Sequence, residues 1–248
     1  MTSSFTPSTG SYGKKDSSTS SAKPTLFVGA NGIVLRASQY GAFTAPIVLL
    51  LHGGGQTRHA WADTANTLAR AGYCAITLDA RGHGESDWCA QGDYSTQSLV
   101  ADLHAVIRSL PMAPIIVGAS MGGLTAMLAL GENTSLHCSA LVLVDVAPRL
   151  EQQGVRRVIE FMRRHHDGFD SLEQVRDAVA AYNPHRPPSN DLTGLRKNLR
   201  RRDDGRLYWH WDPAFLDYAR VPSETSESLF EKSSLERAAR KLSMPVLL

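Results

Sequence analysis

The chain has 248 residues, 42% of them hydrophobic, and a net charge of +2, with its 26 basic residues interspersed among 24 acidic ones. This length allows one domain with a large core plus a small insertion, and the interspersed charge argues against nucleic acid as a partner. Three cysteines without paired spacing, no apolar run of membrane-spanning length and no secretory signal predict a cytoplasmic protein that binds no membrane.

The N-terminal segment is dominated by serine and threonine. Its apolar surface is too small to offset the entropy of ordering, so residues 1–24 are predicted to form a disordered tail. Two short strands are then expected over 25–28 and 33–40, because Asn31-Gly32 supplies the positive φ angles of a hairpin turn. These strands are predicted to form an antiparallel edge of a sheet.

Continuous apolar runs follow, and each has the pattern of a strand buried on both faces of a mostly parallel sheet. Helical patterns separate them, and two of these end at a glycine or proline, Gly72 and Pro111. The predicted strands cover residues 46–51, 73–78, 115–117 and 141–144, and the predicted helices cover 58–71, 99–110 and 124–130. This alternation indicates a three-layer α/β core over residues 25–148.

After the last of these strands the alternation breaks, and three polar, arginine-rich helices are predicted over 151–165, 171–182 and 192–202. Residues 149–239 are therefore expected to form an inserted helical cap. Residues 240–248 end in an apolar run that is expected to be the start of a further core strand.

Two tryptophans, Trp209 and Trp211, stand in alternation where this cap would rejoin the core. Exposed tryptophans are costly, so the two rings are expected either to wall an apolar substrate pocket or to pack within the cap. The arginine run 200–202 is followed by two aspartates, which favours a solvated helix face over a binding site for an acidic substrate.

The strand predicted from Ile115 turns abruptly at Gly118-Ala-Ser120-Met-Gly122 and continues as a helix. Strand, sharp turn and helix are the setting in which a strained serine is lifted out of a sheet edge. Small residues two positions before and after the serine let the helix pack back against the strand. Gly118 and Gly122 fill these positions, so Ser120 is predicted to be a nucleophile.

Three motifs occur after successive strands: His52-Gly-Gly-Gly55, Asp79-x-Arg81-Gly-His-Gly84-x-Ser86 and Gly118-x-Ser120-x-Gly122. With them, the chain from about residue 25 onward resembles the α/β-hydrolase fold superfamily, in particular its cap-bearing serine members, such as esterases, haloperoxidase-like enzymes and carbon-carbon bond hydrolases. The resemblance implies an α/β-hydrolase fold: a mostly parallel central sheet flanked by helices, with an inserted helical cap.

The resemblance also implies roles for single residues. Ser120 would be the nucleophile, and the backbone amides of Met121 and Gly54 would form the oxyanion hole, with Gly55 as the alternative to Gly54. His52 would orient its loop rather than act as a base. No cofactor and no metal is implied, because acyl transfer needs neither and the sequence contains no cluster of metal ligands.

One part of the family pattern is absent. The superfamily supplies a catalytic histidine from a loop after the last strand, oriented by an Asp or Glu. This chain ends at Leu248, before such a loop, so the last strand or strands and their helices are expected to be missing and the truncated chain to be inactive. Asp145, at the tip of the predicted strand 141–144, is a candidate acid, although capping of its own turn is the favoured interpretation.

The leading hypothesis is a serine hydrolase that acts on an ester or similar small acyl substrate through an acyl-enzyme. Perhydrolase (haloperoxidase-like) or carbon-carbon bond hydrolase chemistry on the same site is the alternative among enzymes. A non-catalytic ligand-binding protein with the same fold is the alternative from another class. Each hypothesis predicts a small molecule as the partner, and none specifies an oligomeric state.

Overall fold

The computed structural model describes residues 22–133, 135–149, 151–185, 192–218 and 232–248. The tail predicted over residues 1–24 lies outside these described ranges except for its last three residues. Two of them, Lys23 and Pro24, pair with Gln39 and Ser38 in an antiparallel ladder. The first strand therefore begins two residues earlier than the sequence pattern indicated.

A mostly parallel sheet forms the centre of the protein. The strands are β1 (Lys23–Val28), β2 (Val34–Tyr40), β3 (Ile47–Leu51), β4 (Cys74–Leu78), β5 (Ile115–Ala119), β6 (Ala140–Val144), β7 (Leu199–Arg201), β8 (Leu207–Trp209) and β9 (Val246–Leu247). Seven of them form one sheet in the order β1-β2-β4-β3-β5-β6-β9, while β7 and β8 form a separate antiparallel hairpin. In the large sheet β2 is antiparallel to both its neighbours, and all other pairs are parallel. The predicted antiparallel edge and mostly parallel sheet are confirmed.

Helices cover both faces of this sheet. They are α1 (Ala62–Arg70), α2 (Thr96–Ser109), α3 (Met121–Glu132), α4 (Gln152–Arg163), α5 (Leu172–Tyr182), α6 (Thr193–Arg196), α7 (Phe215–Tyr218) and α8 (Lys232–Lys241). Val48 and Leu50 of β3 pack with Ala65 of α1, whereas Leu49 belongs to the cluster that contains α2 and α3. This explains why β3 is apolar at every position, and it confirms the predicted three-layer α/β architecture. Within the described ranges, none of the helices has both the length and the apolarity needed to cross a membrane.

The segment between β6 and α8, which keeps the name cap from here on, contains α4 to α7 and the β7–β8 hairpin. The first two cap helices agree closely with the prediction, but α6 covers only the start of the third predicted helix, 192–202, and residues 199–201 form β7 instead. A helix there would lose the backbone pairing with β8, which is closed by a turn with Gly205 at φ 80°. The hairpin also buries Leu199 and Leu207.

The last helix, α8, packs against α3 of the core. A Cβ atom on Gly131 would overlap the backbone of Ala238, so the absence of a side chain lets the two helices meet. Most of α8 falls in the range 149–239 that was expected to belong to the cap, whereas the structure places it in a helical layer on the sheet. After α8, within the range 240–248, β9 pairs in parallel with β6.

Candidate functional site

Ser120 lies at the turn between the carboxyl end of β5 and the start of α3. Its backbone has φ 44° and ψ −116°, a conformation that costs a non-glycine residue about 1–3 kcal/mol. The amide of Ser120 donates to the carbonyl of Val144, 3.2 Å away, which ties the turn to the end of β6. The residue is exposed. The hydroxyl is therefore held in a strained but accessible position.

Gly118 and Gly122 make this turn possible. A Cβ atom on Gly118 would lie 2.6 Å from the backbone nitrogen of Gly123, and one on Gly122 would lie 2.8 Å from the carbonyl oxygen of His52. Side chains essentially never approach backbone atoms so closely, so any larger residue would push α3 away from the sheet. The requirement for small residues on both sides of the serine was predictable from the sequence.

The glycine loop that follows β3 lies directly against Ser120. A Cβ atom on Gly53 would be 3.5 Å from the Cβ of Ser120, and one on Gly54 would be 3.9 Å from the Sδ of Met121. Gly54 and Met121 are therefore neighbours beside the serine. The sequence predicted this pair as amide donors, and the structure brings the two residues together.

The backbone amides in this loop differ in their partners. The Gly55 amide donates to Nε2 of His83 at 3.2 Å. The Gly54 amide donates to no acceptor within the described ranges. Met121 is the first residue of α3, where N–H groups have no intrahelical acceptor and carry the positive end of the helix dipole. Of the two glycines considered as donors, Gly54 is thus the one whose amide remains available to a ligand.

Two buried histidines support the loop, and neither hydrogen-bonds Ser120. Nδ1 of His52 donates to the carbonyl of Gly53 at 2.8 Å, and its Nε2 accepts from the amide of Ala80 at 3.0 Å. Burial lowers the pKa of both histidines, that of His83 to about 3. Both rings are therefore neutral, and each of their nitrogen atoms already hydrogen-bonds a backbone group. For His52 this agrees with the expected role of orienting its loop rather than acting as a base.

The carboxylate of Asp79 accepts several hydrogen bonds and anchors the loop that follows β4. Asp79 is fully buried, and its oxygens accept from the Arg58 amide at 2.5 Å, from the Arg58 guanidinium and from the Glu85 amide at 3.0 Å. Its own carbonyl accepts from the hydroxyl of Ser86 at 2.8 Å. Because both carboxylate oxygens already accept hydrogen bonds, Asp79 is a structural residue. Arg58 was not singled out from the sequence, because nothing in its local pattern marks it as the partner of a residue in another loop.

A buried ion pair joins this loop to α2. Arg81 donates from Nε and Nη2 to the two oxygens of Asp102, at 2.5 and 2.7 Å, and from Nη1 to the carbonyl of Asp93 at 3.0 Å. Only 2% of Arg81 and 5% of Asp102 are exposed. Sequence reasoning missed Asp102. An aspartate beside Leu103 on the apolar face of α2 was the signal that could have indicated a buried partner.

Asp145 follows β6 at the same edge of the sheet as Ser120. It has φ 53° and is exposed. Within the described ranges its carboxylate accepts no hydrogen bond, either from its own turn or from a histidine. Its assignment as a catalytic acid therefore stays a prediction.

All nine histidines lie within the described ranges. Beyond the two already placed, His104 donates from Nε2 to the carbonyl of Ala129 at 3.0 Å, and His210 donates from Nδ1 to the carbonyl of Gly84 at 2.8 Å. Within the described ranges, none of the nine histidines hydrogen-bonds the hydroxyl of Ser120. The same residues contain no group of three or more His, Cys, Asp or Glu side chains placed to hold a metal ion.

The two tryptophans of the cap occupy different positions. The rings of Trp209 and Trp211 are stacked with centroids 5.0 Å apart, and both residues are buried. Trp211 lies at the glycine loop, since a Cβ atom on Gly55 would be 3.3 Å from its Cζ3 and 3.2 Å from the methyl carbon of Met162. Trp209 packs edge to face against the ring of Phe169 within the cap, with centroids 5.2 Å apart.

The β7–β8 hairpin fastens the cap to the loop after β4. Arg200 from Nη2 and His210 from Nδ1 both donate to the carbonyl of Gly84, at 3.0 and 2.8 Å. The guanidinium of Arg200 also lies 4.6 Å from the ring centroid of Trp88. The expectation of a solvated helix face over residues 200–202 is wrong for Arg200, because a strand directs alternate side chains to opposite sides and turns this one toward the core.

Comparison with known proteins agrees with this geometry. The model of a family described as alpha/beta hydrolase fold matches residues 46–212. Esterase Rv0045c from Mycobacterium tuberculosis is 37% identical over 185 residues, which is 71% of this chain and 60% of that esterase. Protein phosphatase methylesterase 1 from Bos taurus is 32% identical over 135 residues, which is 52% of this chain and 36% of that protein.

A solved structure of the M. tuberculosis esterase Rv0045c has a TM-score of 0.68 to this chain at 31% identity. The superposition covers 91% of this chain and 73% of that one. The chain is therefore similar in both sequence and fold to a hydrolase, and it spans 60% or less of the length of the two curated relatives.

Proposed function

Because this chain belongs to the alpha/beta hydrolase fold family, we propose that it is a serine esterase that cleaves a small ester or similar acyl compound through an acyl-enzyme on Ser120. The observation that carries the proposal is the exposed Ser120 in a strained turn beside Gly54 and Met121. The similarity to two esterases supports the reaction class.

In this mechanism the hydroxyl oxygen of Ser120 attacks the carbonyl carbon of the ester. The bond to the alcohol oxygen breaks, the alcohol leaves with the proton that the serine gives up, and the acyl group stays on the serine oxygen. Water then attacks the acyl-enzyme, the carboxylic acid leaves, and Ser120 regains a proton. Each step requires a base that carries the proton between the two oxygens.

The amides of Gly54 and Met121 are the proposed oxyanion donors. Negative charge develops on the carbonyl oxygen during both attacks, and fixed N–H groups stabilise it without reorganisation. Loss of one such donor typically costs about 2.7–4 kcal/mol of transition-state stabilisation. The position of Met121 at the start of α3 adds the favourable end of the helix dipole.

The proton acceptor is the part of the mechanism that the described residues do not supply. None of their histidines hydrogen-bonds Ser120, so we expect residues 1–248 to hydrolyse esters at a rate close to the uncatalysed background. Asp145 is the carboxylate we propose to orient a base, since it follows Val144, whose carbonyl accepts the Ser120 amide. Because Ser120 is exposed, a small soluble base such as imidazole can reach it.

A non-catalytic ligand-binding protein is the second candidate function. It is favoured by the finding that no histidine within the described ranges hydrogen-bonds the Ser120 hydroxyl. Perhydrolase or carbon-carbon bond hydrolase chemistry would use the same serine and amides, and no contact among the described residues favours it over ester hydrolysis.

Acyl trapping tests the esterase proposal directly. The protein is incubated with p-nitrophenyl acetate, with and without imidazole, and its peptides are analysed by mass spectrometry. We expect one acetyl group on the peptide that contains Ser120, formed faster with imidazole and absent from Ser120→Ala. Reversible binding of the ester without acetylation of Ser120 would support the ligand-binding function instead, and acetylation spread over lysines would contradict a special serine.

Substitution of the two tryptophans should separate substrate contact from packing. Trp211→Ala and Trp209→Ala remove the same volume, and each is expected to destabilise the protein by about 3–5 kcal/mol. Only Trp211 lies against Gly55, so only Trp211→Ala is expected to raise the imidazole-supported rate on p-nitrophenyl hexanoate relative to the acetate. Initial rates on both esters and thermal melts measure the two effects. Equal ratios in both variants would assign Trp211 to packing alone.

A further inference from the structure

We propose that His83 is a positioning residue for the glycine loop: its Nε2 accepts the Gly55 amide and so leaves the Gly54 amide as the loop's donor to the substrate oxygen. The catalytic consequence rests on the proposed esterase function. The hydrogen bond and its effect on the conformation of the loop do not.

The partners of His83 define its tautomer. Nδ1 lies 3.1 Å from the carbonyl oxygen of Arg81, which can only accept, so Nδ1 carries the hydrogen. Nε2 then has a free lone pair, and this lone pair receives the Gly55 amide. His52 has the same arrangement, with Nδ1 donating and Nε2 accepting. Two histidines in one tautomer therefore bridge the loops that follow β3 and β4.

The surroundings of His83 keep it neutral. The ring is fully buried, with the His52 ring centroid 5.2 Å away and the edge-to-face ring of Phe215 at 4.8 Å. Burial and then the neighbouring His52 lower the pKa of His83 to about 3, and the hydrogen bond to the Arg81 carbonyl and the charge of Asp79 offset only part of this. A protonated Nε2 could not accept a hydrogen bond. The bond to Gly55 is thus present throughout the neutral pH range.

The loop is held from two sides. Gly55 has φ 72°, which glycine adopts without strain, and Met162 and Trp211 of the cap pack against it. Phe215, also from the cap, packs against the ring of His83, which accepts the Gly55 amide. His83 therefore lies between the cap and the glycine loop, and it acts on the site through Gly55 rather than through the reacting atoms.

Loss of the acceptor would change which amide is free. A glycine-rich loop reorients at little steric cost, so an unpartnered Gly55 amide could compete with that of Gly54 for the substrate oxygen. A misplacement of about 1 Å at a reacting group can cost on the order of 10²-fold in rate. The expected signature is a fall in kcat with little change in KM, because the oxyanion forms only in the transition state.

Nuclear magnetic resonance of the unmodified protein gives the first test. We expect the Gly55 amide to exchange with solvent about tenfold or more slowly than the Gly54 amide, because only the former donates to a buried acceptor. We also expect ¹⁵N shifts of His83 that report a protonated Nδ1 and an unprotonated Nε2. Equal exchange of the two amides, or a proton on Nε2, would overturn the proposal.

Two substitutions give the second test. His83→Phe keeps the shape of the ring without an acceptor, and His83→Gln restores an acceptor near the position of Nε2. We expect His83→Phe to accelerate Gly55 exchange and to lower kcat of the imidazole-supported reaction roughly 10²-fold, and His83→Gln to recover much of both. A folded His83→Phe protein with unchanged Gly55 exchange and unchanged kcat would refute the positioning role.

The two measurements separate failure of this proposal from failure of the proposed function. If no variant hydrolyses esters even with imidazole, the esterase proposal fails while amide exchange still decides whether His83 positions the loop. If His83→Phe does not fold, as a thermal melt would show, the exchange and tautomer measurements on the unmodified protein and on His83→Gln decide it.

Discussion

Ser120→Ala is expected to abolish the protein-dependent part of imidazole-supported ester hydrolysis. No other group in the proposed mechanism can form the acyl-enzyme, so the rate should fall to that of imidazole alone in solution, a loss of at least about two orders of magnitude. The measurement is the initial rate of p-nitrophenyl acetate hydrolysis against imidazole concentration. Saturation with imidazole is expected for the unmodified protein and not for the variant.

The matched control is Ser243→Ala, which removes another exposed serine hydroxyl far from this turn in the sequence. Its rates should equal those of the unmodified protein. Turnover that survives in Ser120→Ala would show that another nucleophile carries the reaction. Robust turnover without imidazole would show instead that one of the chain's own histidines reaches Ser120, contrary to the contacts described above.

Asp102→Ala is expected to cause a large loss of stability. It leaves the Arg81 guanidinium buried without its bidentate partner and also removes the acceptor of the Ala30 amide at 2.8 Å. Breaking a buried pair in this way typically costs about 3–5 kcal/mol, because one charge stays uncompensated away from water. For a chain of this size the melting temperature should fall by roughly 10 °C or more. Urea unfolding and a thermal melt measure both quantities.

Arg149→Ala is the control for this prediction. It breaks the exposed ion pair between Arg149 and Glu236, whose nitrogen and oxygen atoms are 2.8 Å apart, and such pairs contribute less than about 1 kcal/mol. Replacing both members of the buried pair, with Arg81→Met and Asp102→Leu, should recover part of the lost stability. Similar small losses in Asp102→Ala and Arg149→Ala would mean that the Arg81 pair is not desolvated as the structure indicates.

The local features of the fold were accessible from the sequence because they depend on neighbours along the chain. Every residue of β3 and β4 is buried, so these strands appear as continuous apolar runs. Gly118 and Gly122 predict a tight turn, because a side chain at either position would clash with the backbone of a neighbouring segment. The hairpin at Asn31, whose φ is 57°, likewise follows from local backbone preference.

The cap was harder to predict, because its structure depends on pairing between separate segments. Residues 199–201 have a composition compatible with a helix, and only their ladder with β8 makes them a strand. The same pairing turns Arg200 inward to Gly84 and Trp88. Propensity alone could not reveal these contacts.

By itself, therefore, the sequence determined the α/β core, the order of its strands along the chain and the serine turn at Ser120, since each follows from hydrophobic periodicity or from a steric limit within a few residues. The tertiary structure decided which glycine amide stays available, because His83, 28 positions further along, takes the amide of Gly55 and leaves that of Gly54. It also decided that Asp102 neutralises Arg81. Such choices depend on groups that meet only after the chain has folded, and no local pattern encodes their distances.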